Sequence, residues 1–90
     1  MTFKISLKKN AIKALQHIDK PNFKNIKKAT YNLADSPRPT GYKKLKGRSG
    51  YQIRVADYRI IYEIFDDILL IEVIELGDLQ MIKAAAMFKK

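Results

Sequence analysis

The chain has 90 residues, a formal net charge of +9, 47% hydrophobic residues, one histidine and no cysteine. That length fits one domain with a modest core, and the hydrophobic share argues against disorder. Without cysteine there is no disulfide framework or thiol chemistry, and one histidine excludes a His-rich metal site.

The opening residues MTFKISLKKNAIK contain no long apolar run, so they do not read as a signal peptide. No apolar stretch approaches the roughly 20 residues that span a bilayer. The expectation is a soluble, cytoplasmic protein with no membrane partner. Thr2 to Leu7 alternates Phe3, Ile5 and Leu7 with polar neighbours, which predicts a short strand. From Lys9 to Ile18, Ala11, Ile12, Leu15 and Ile18 fall on one helical stripe. His17 lies roughly opposite that stripe and reads as a solvated surface residue. Lys20-Pro21 interrupts the pattern, and Pro21 is tolerated in a first helical turn. A second helix then runs to about Ala34, with Phe23, Ile26, Thr30 and Leu33 inward. The short break predicts an antiparallel helical hairpin.

Asp35 to Gly50 holds two of the three prolines and three of the four glycines, and reads as a loop. Beyond it the alternation predicts strands at Tyr51–Val55 and Tyr58–Phe65. A turn at Asp66-Asp67 and a third strand from Ile68 to Leu76 follow, with Gly77 ending it. Leu79 to Phe88 predicts a last, short helix. The order β-α-α-β-β-β-α implies an α+β fold over residues 1–90, with the hairpin on one face of an antiparallel sheet.

The charge is unevenly spread. Residues 1–50 hold thirteen basic and two acidic residues, whereas residues 51–90 hold five and seven. A basic field in the N-terminal half and central loop implies a polyanionic partner. A tight turn at Ala56-Asp57 would set Val55 opposite Tyr58 and Arg54 opposite Arg59. Like charges directly opposite cost about 0.2–1 kcal/mol, a penalty that an anion in the gap would remove. Guanidinium groups suit phosphate recognition and charge growing on a phosphorane. The bland alternative is that both arginines pair with nearby acids or reach solvent. Lys43, Lys44, Lys46 and Arg48 precede this hairpin, bracketed by Tyr42 and Tyr51, a mixture suited to backbone gripping and base stacking.

Three motifs carry a resemblance: Ser36-Pro37-Arg38, Lys44-Leu45-Lys46-Gly47, and Tyr51 through Ile64. Together they resemble the RelE/ParE toxin superfamily, and within it the RelE-type toxins of type II toxin–antitoxin systems. The resemblance implies a ribosome-dependent, metal-independent mRNA endoribonuclease, with no cofactor, that cuts in the A site through 2′-hydroxyl attack. It implies that Arg54 assists proton transfer or stabilises charge and that Arg59 binds the phosphate. Lys43, Lys44, Lys46 and Arg48, with Tyr51 and Gln52, would contact ribosomal RNA or message. Gln52 stands where some members carry a basic residue. Leu79 stands where the family usually has a phosphate-binding arginine, and no C-terminal tyrosine follows at the expected place. Lys83 lies near that place and is the candidate to take over a cationic catalytic role. The resemblance also implies a cognate antitoxin of RelB or Phd type, whose acidic or amphipathic segment covers the basic surface. Operator DNA would be bound only through that complex. Two other readings stay open: a ParE-type inhibitor of DNA gyrase, and a weakened relative that binds antitoxin and RNA without cutting.

Overall fold

In a computed structural model, residues 2–78 are described. The elements are β1 (Lys4–Leu7), α1 (Lys9–Gln16), α2 (Lys20–Asp35), β2 (Lys43–Lys44), β3 (Tyr51–Val55), β4 (Tyr58–Phe65) and β5 (Leu70–Asp78). They form one five-stranded sheet in the order β1-β5-β4-β3-β2. The fold is α+β, with two helices among the described residues. The predicted C-terminal helix lies outside them, as do Leu79 and Lys83.

The sheet is mixed, not antiparallel throughout. β1 pairs in parallel with β5, from Lys4 opposite Leu70 to Leu7 opposite Val73. The two helices carry the chain from β1 to the far edge of the sheet. The meander β3-β4-β5 then returns, and β5 arrives running in the direction of β1. The chain also places a two-residue strand, β2, inside the expected loop, paired with Tyr51 and Gln52.

One face of the sheet is the core face. Ile53, Ile60 and Leu76 lie side by side across β3, β4 and β5, and Tyr51, Tyr62 and Val73 form the next row. Ala11 of α1 and Ile26 and Leu33 of α2 close over these rows. α1 lies against β5, and α2 reaches β1 and β3. Phe3, Ile5 and Leu7 pack at the margin of this core, as their alternation predicts. Of the predicted stripe on α1, Ala11 is fully buried and Leu15 and Ile18 are packed, but Ile12 is 44% exposed. The helix is only eight residues long, and its buried arc is narrower than the pattern suggested. On α2, Ile26 and Leu33 are buried as expected, and Thr30 bonds the Ile26 carbonyl at 2.8 Å.

The last strand departs from its expected bounds. Ile68 is 62% exposed in the connection, where Leu69 takes a φ of 52°, and the strand starts at Leu70. Gly77 does not break it but pairs opposite Arg59. Between these ends the register slips: Ile61 opposes Glu75, whereas Tyr62 opposes Val73, leaving Ile74 as the extra residue of a bulge. The bulge resets the alternation. Val73 and Leu76, three apart, both enter the core, while Glu72 and Glu75 both fall on the opposite face.

The β3–β4 turn forms at Ala56-Asp57, and Val55 faces Tyr58 as predicted. Ala56 there has a φ of 55°, in the left-handed region that costs a residue with a Cβ about 1 kcal/mol or more. We expect Ala56→Gly to raise unfolding stability by roughly 0.5–1 kcal/mol, the strain relief less the added chain entropy. Urea titration read as a shift in midpoint at constant slope checks this.

Candidate nucleic-acid interface

The face turned away from the helices carries the candidate site. Its first row is Arg54, Arg59 and Gly77; its second is Lys43, Gln52, Ile61 and Glu75. Glu63 and Glu72 stand opposite each other on the same face. Ile61 is 4% exposed but is not part of the main core cluster, because it lies beneath this second surface.

Arg54 and Arg59 are direct partners in the β3–β4 ladder. Their Cα atoms are therefore about 4.5–5.5 Å apart, and both side chains project to the same side. Arg54 is exposed and Arg59 half-buried. Among the described residues neither makes an ion pair; the pairs present are Arg38–Asp66 and Arg48–Glu75. The Nε of Arg59 and the Oε1 of Gln52 are buried and have no hydrogen-bond partner among the described residues. Leaving such a group unsatisfied costs about 1–3 kcal/mol. Like-charge apposition and orphaned polar atoms thus fall at one place on the sheet.

Beside this pair the chain forms a groove of about 400 Å³. β2 covers only Tyr51 and Gln52, so β3 beyond Gln52 has no neighbouring strand on that side. The groove runs along this open edge, between Asn32 on α2, Gly41 in the loop, and Lys43, Gln52, Arg54 and Arg59. The α2 and loop positions were not evident in the sequence, because only the long-range packing of α2 brings them to β3.

The loop between β2 and β3 folds back over the acidic part of the face. Ser49 donates its hydroxyl hydrogen to Glu63, and Arg48 lies 3.7 Å from Glu75. Gly50 makes this reversal possible. It has a φ of +116°, and a Cβ on it would sit 3.3 Å from the Tyr62 carbonyl oxygen, in backbone, and 3.4 Å from Leu45. Gly50→Ala should cost about 1–3 kcal/mol through backbone strain. The measurement is a denaturation midpoint.

The other predicted positions separate. Lys43 joins Gln52 and the arginines. Lys44 pairs with Tyr51, and both project to the helix side of the sheet, away from Arg54. Tyr51 packs between Tyr42 and Tyr62, with centroids 5.7 and 6.0 Å away, and Arg38 lies over its ring at 6.0 Å. Lys46 is exposed in the loop. Arg48 is tied to Glu75 instead of standing free in that loop.

Arg38 anchors the start of the loop. It makes two bonds to Asp66, at 2.9 and 3.4 Å, and these hold the Asp66 carboxyl below its ordinary range. A carboxylate shifted down adds stability above its ordinary pKa, and the gain is lost as pH falls through the lowered value. Tyr62, fully buried, donates to the Pro37 carbonyl at 2.7 Å. These contacts tie the Ser36-Pro37-Arg38 segment to β4 and the β4–β5 connection.

The comparisons with known proteins complete the assignment. The sequence profile described as the ParE toxin of the type II toxin–antitoxin system parDE matches residues 5–82. The chain belongs to the RelE/ParE toxin superfamily. Its fold resembles the toxin in the archaeal RelE–RelB complex of Pyrococcus horikoshii, at 27% identity and a TM-score of 0.77, covering 87% of this chain and 96% of that one. It also resembles the RelBE2 toxin–antitoxin complex of Mycobacterium tuberculosis, at 15% identity and a TM-score of 0.78, covering 87% and 99%. The isolated E. coli RelE toxin matches at 22% identity and 0.74, covering 94% and 97%. No curated protein matches the sequence significantly. In this toxin fold the Arg54–Arg59 hairpin is the motif that carried the sequence resemblance.

Proposed function

We propose that this toxin is a ribosome-dependent endoribonuclease that cleaves message in the A site without a metal cofactor. The observation that carries the reading is the facing couple of Arg54 and Arg59, neither of which makes an ion pair among the described residues. A phosphodiester between them would remove the like-charge penalty and accept hydrogen bonds from both guanidinium groups. Attack by the 2′-hydroxyl on the adjacent phosphorus builds charge on the equatorial oxygens. Fixed guanidinium donors aimed at those oxygens stabilise that state more than the ground state. Lys43, Lys46 and the groove along β3 would hold the flanking backbone. Lys83 is proposed to add a cation where Leu79 replaces the arginine usual in the family.

A cognate antitoxin is the proposed protein partner. The P. horikoshii and M. tuberculosis relatives are toxins in complex with antitoxins. The net charge of +9 suits an acidic covering segment. The matching profile's ParE description favours a second reading, inhibition of DNA gyrase with message left intact.

The test is primer extension on message after induction of the toxin, with and without the adjacent antitoxin gene. The proposal expects cuts at defined codons, relieved by the antitoxin. Filamentation and DNA damage with uncut message would replace it with the gyrase reading.

A further inference from the structure

The proposed reaction needs a proton acceptor. The 2′-oxygen is a poor nucleophile until its hydrogen leaves, and a guanidinium donates hydrogen bonds without accepting them. Gln52 is not a base. His17, the one imidazole, follows α1 on the opposite side of the sheet. Lys43, on the same face, ends in an ammonium group that donates and does not accept, so among the described residues the carboxylates of this face are the candidates, and they are not equivalent. Glu63 accepts a hydrogen bond from Ser49 and faces Glu72 one row beyond Ile61. Glu75 is in the row directly beside the arginines: it opposes Ile61, while Arg59 opposes Gly77.

The bulge at Ile74 is what puts Glu75 there. With unbroken alternation from Val73, Glu75 would point into the core and Leu76 would point out. The slipped register sends Leu76 inward, where it is 6% exposed, and brings Glu75 to the arginine face. Bulges commonly re-aim a side chain beside a working site. Gly77 adds to the effect, because opposite Arg59 it presents no side chain between the guanidinium and Glu75. Glu75 keeps 34% of its side chain exposed, and its contact with Arg48 is long, at 3.7 Å. That spacing is an ion pair without a short hydrogen bond, so the carboxylate is available to a new donor.

We propose, resting on the ribonuclease reading, that Glu75 is the general base of this toxin and that Arg48 is the cation it exchanges for substrate. The scissile phosphate sits between Arg54 and Arg59. Arg48 leaves Glu75 for a non-bridging phosphate oxygen. Glu75 then takes the proton from the 2′-hydroxyl as the 2′-oxygen bonds to phosphorus. The bond from phosphorus to the 5′-oxygen breaks, and water protonates that leaving oxygen. The products are a 2′,3′-cyclic phosphate and a 5′-hydroxyl. Glu75 returns its proton to solvent, so atoms and charge balance without a co-reactant.

The experiment is single-turnover cleavage of message on programmed ribosomes, with the whole chain, across pH 4.5–9. Wild type should show a rate that falls on the acid side with unit slope as the base is protonated. Glu75→Gln should lower kcat about 10²–10⁴-fold, leave KM within a few-fold, and flatten that acid limb. Glu75→His should recover part of the rate with the limb moved up toward pH 6–7, a signature that a structural role for Glu75 does not predict. Arg48→Ala also breaks the ion pair, yet it should raise KM and keep the limb. If Glu75→Gln, shown to be folded by circular dichroism, cuts with the wild-type rate and limb, Glu75 is not the base although the toxin is a ribonuclease. If the wild-type chain cuts no message at any pH, the ribonuclease reading itself fails.

Discussion

Replacing Arg59 with alanine is expected to lower message cleavage by about 10²–10³-fold, with the loss in kcat. A preorganised donor aimed at developing charge typically contributes that much, equivalent to about 2.7–4 kcal/mol of barrier. Arg54→Ala should do the same through its neighbouring position. The double variant should fall well short of the product of the two single losses, because the proposed site sets both arginines on one phosphate. Arg59→Lys should recover only part of the rate: an ammonium restores charge but not the planar fork. Both single variants should fold, since removing one arginine also removes like-charge repulsion worth about 0.2–1 kcal/mol. A small gain in melting temperature alongside lost activity would separate site from scaffold. A double variant that still arrests translation by cutting message at the wild-type rate would remove Arg54 and Arg59 from the mechanism.

The second large effect concerns Tyr62, where the core meets the loop that carries the basic residues. Its ring is fully buried between Tyr51 and Val73, and its hydroxyl holds the Pro37 carbonyl. Tyr62→Ala should cost about 3–5 kcal/mol, from the cavity and the lost contacts. For a chain of this size that removes a large fraction of total stability and lowers the melting point by about 4–8 °C per kcal/mol. Tyr62→Phe keeps the ring and should cost only about 1–2 kcal/mol, because one carbonyl loses its donor. The hydroxyl also has a pH signature. Burial, with Tyr42 and Tyr51 nearby, pushes its pKa up to about 12. A group whose pKa is raised on folding stabilises the fold below its ordinary value, near 10, and loses that contribution as pH rises toward 12. Denaturant midpoints between pH 9 and 12 should therefore fall more steeply for the natural chain than for Tyr62→Phe. Equal slopes would show that Tyr62 ionises as freely in the folded protein as in the unfolded one.

Membrane association was not expected from the sequence, and no described helix is long and apolar enough to cross a bilayer. The positions of Leu79 and Lys83 and the expected last helix fall outside the described residues. The roles given to Lys44 and Tyr51 need a second contact surface, because those side chains project away from the arginine face.

What the chain alone determined is local. The apolar spacing marked both helices, and the strand alternation marked β1, β3 and β4. The tight turn at Ala56-Asp57 settled the meeting of Arg54 and Arg59, because hairpin register is symmetric about the turn and needs no distant information. Tertiary structure decided the rest. The parallel pairing of β1 with β5 joins segments more than sixty residues apart, and no local pattern encodes it. The bulge at Ile74 lies just past Val73, the last residue of β5 paired with β1, and it inverts the faces that simple alternation assigns. Arg48 reaches Glu75 because Gly50 turns the chain back over the sheet. Arg54 and Arg59 were legible from residue spacing; Glu75, on the same face, became visible only once the strands were paired.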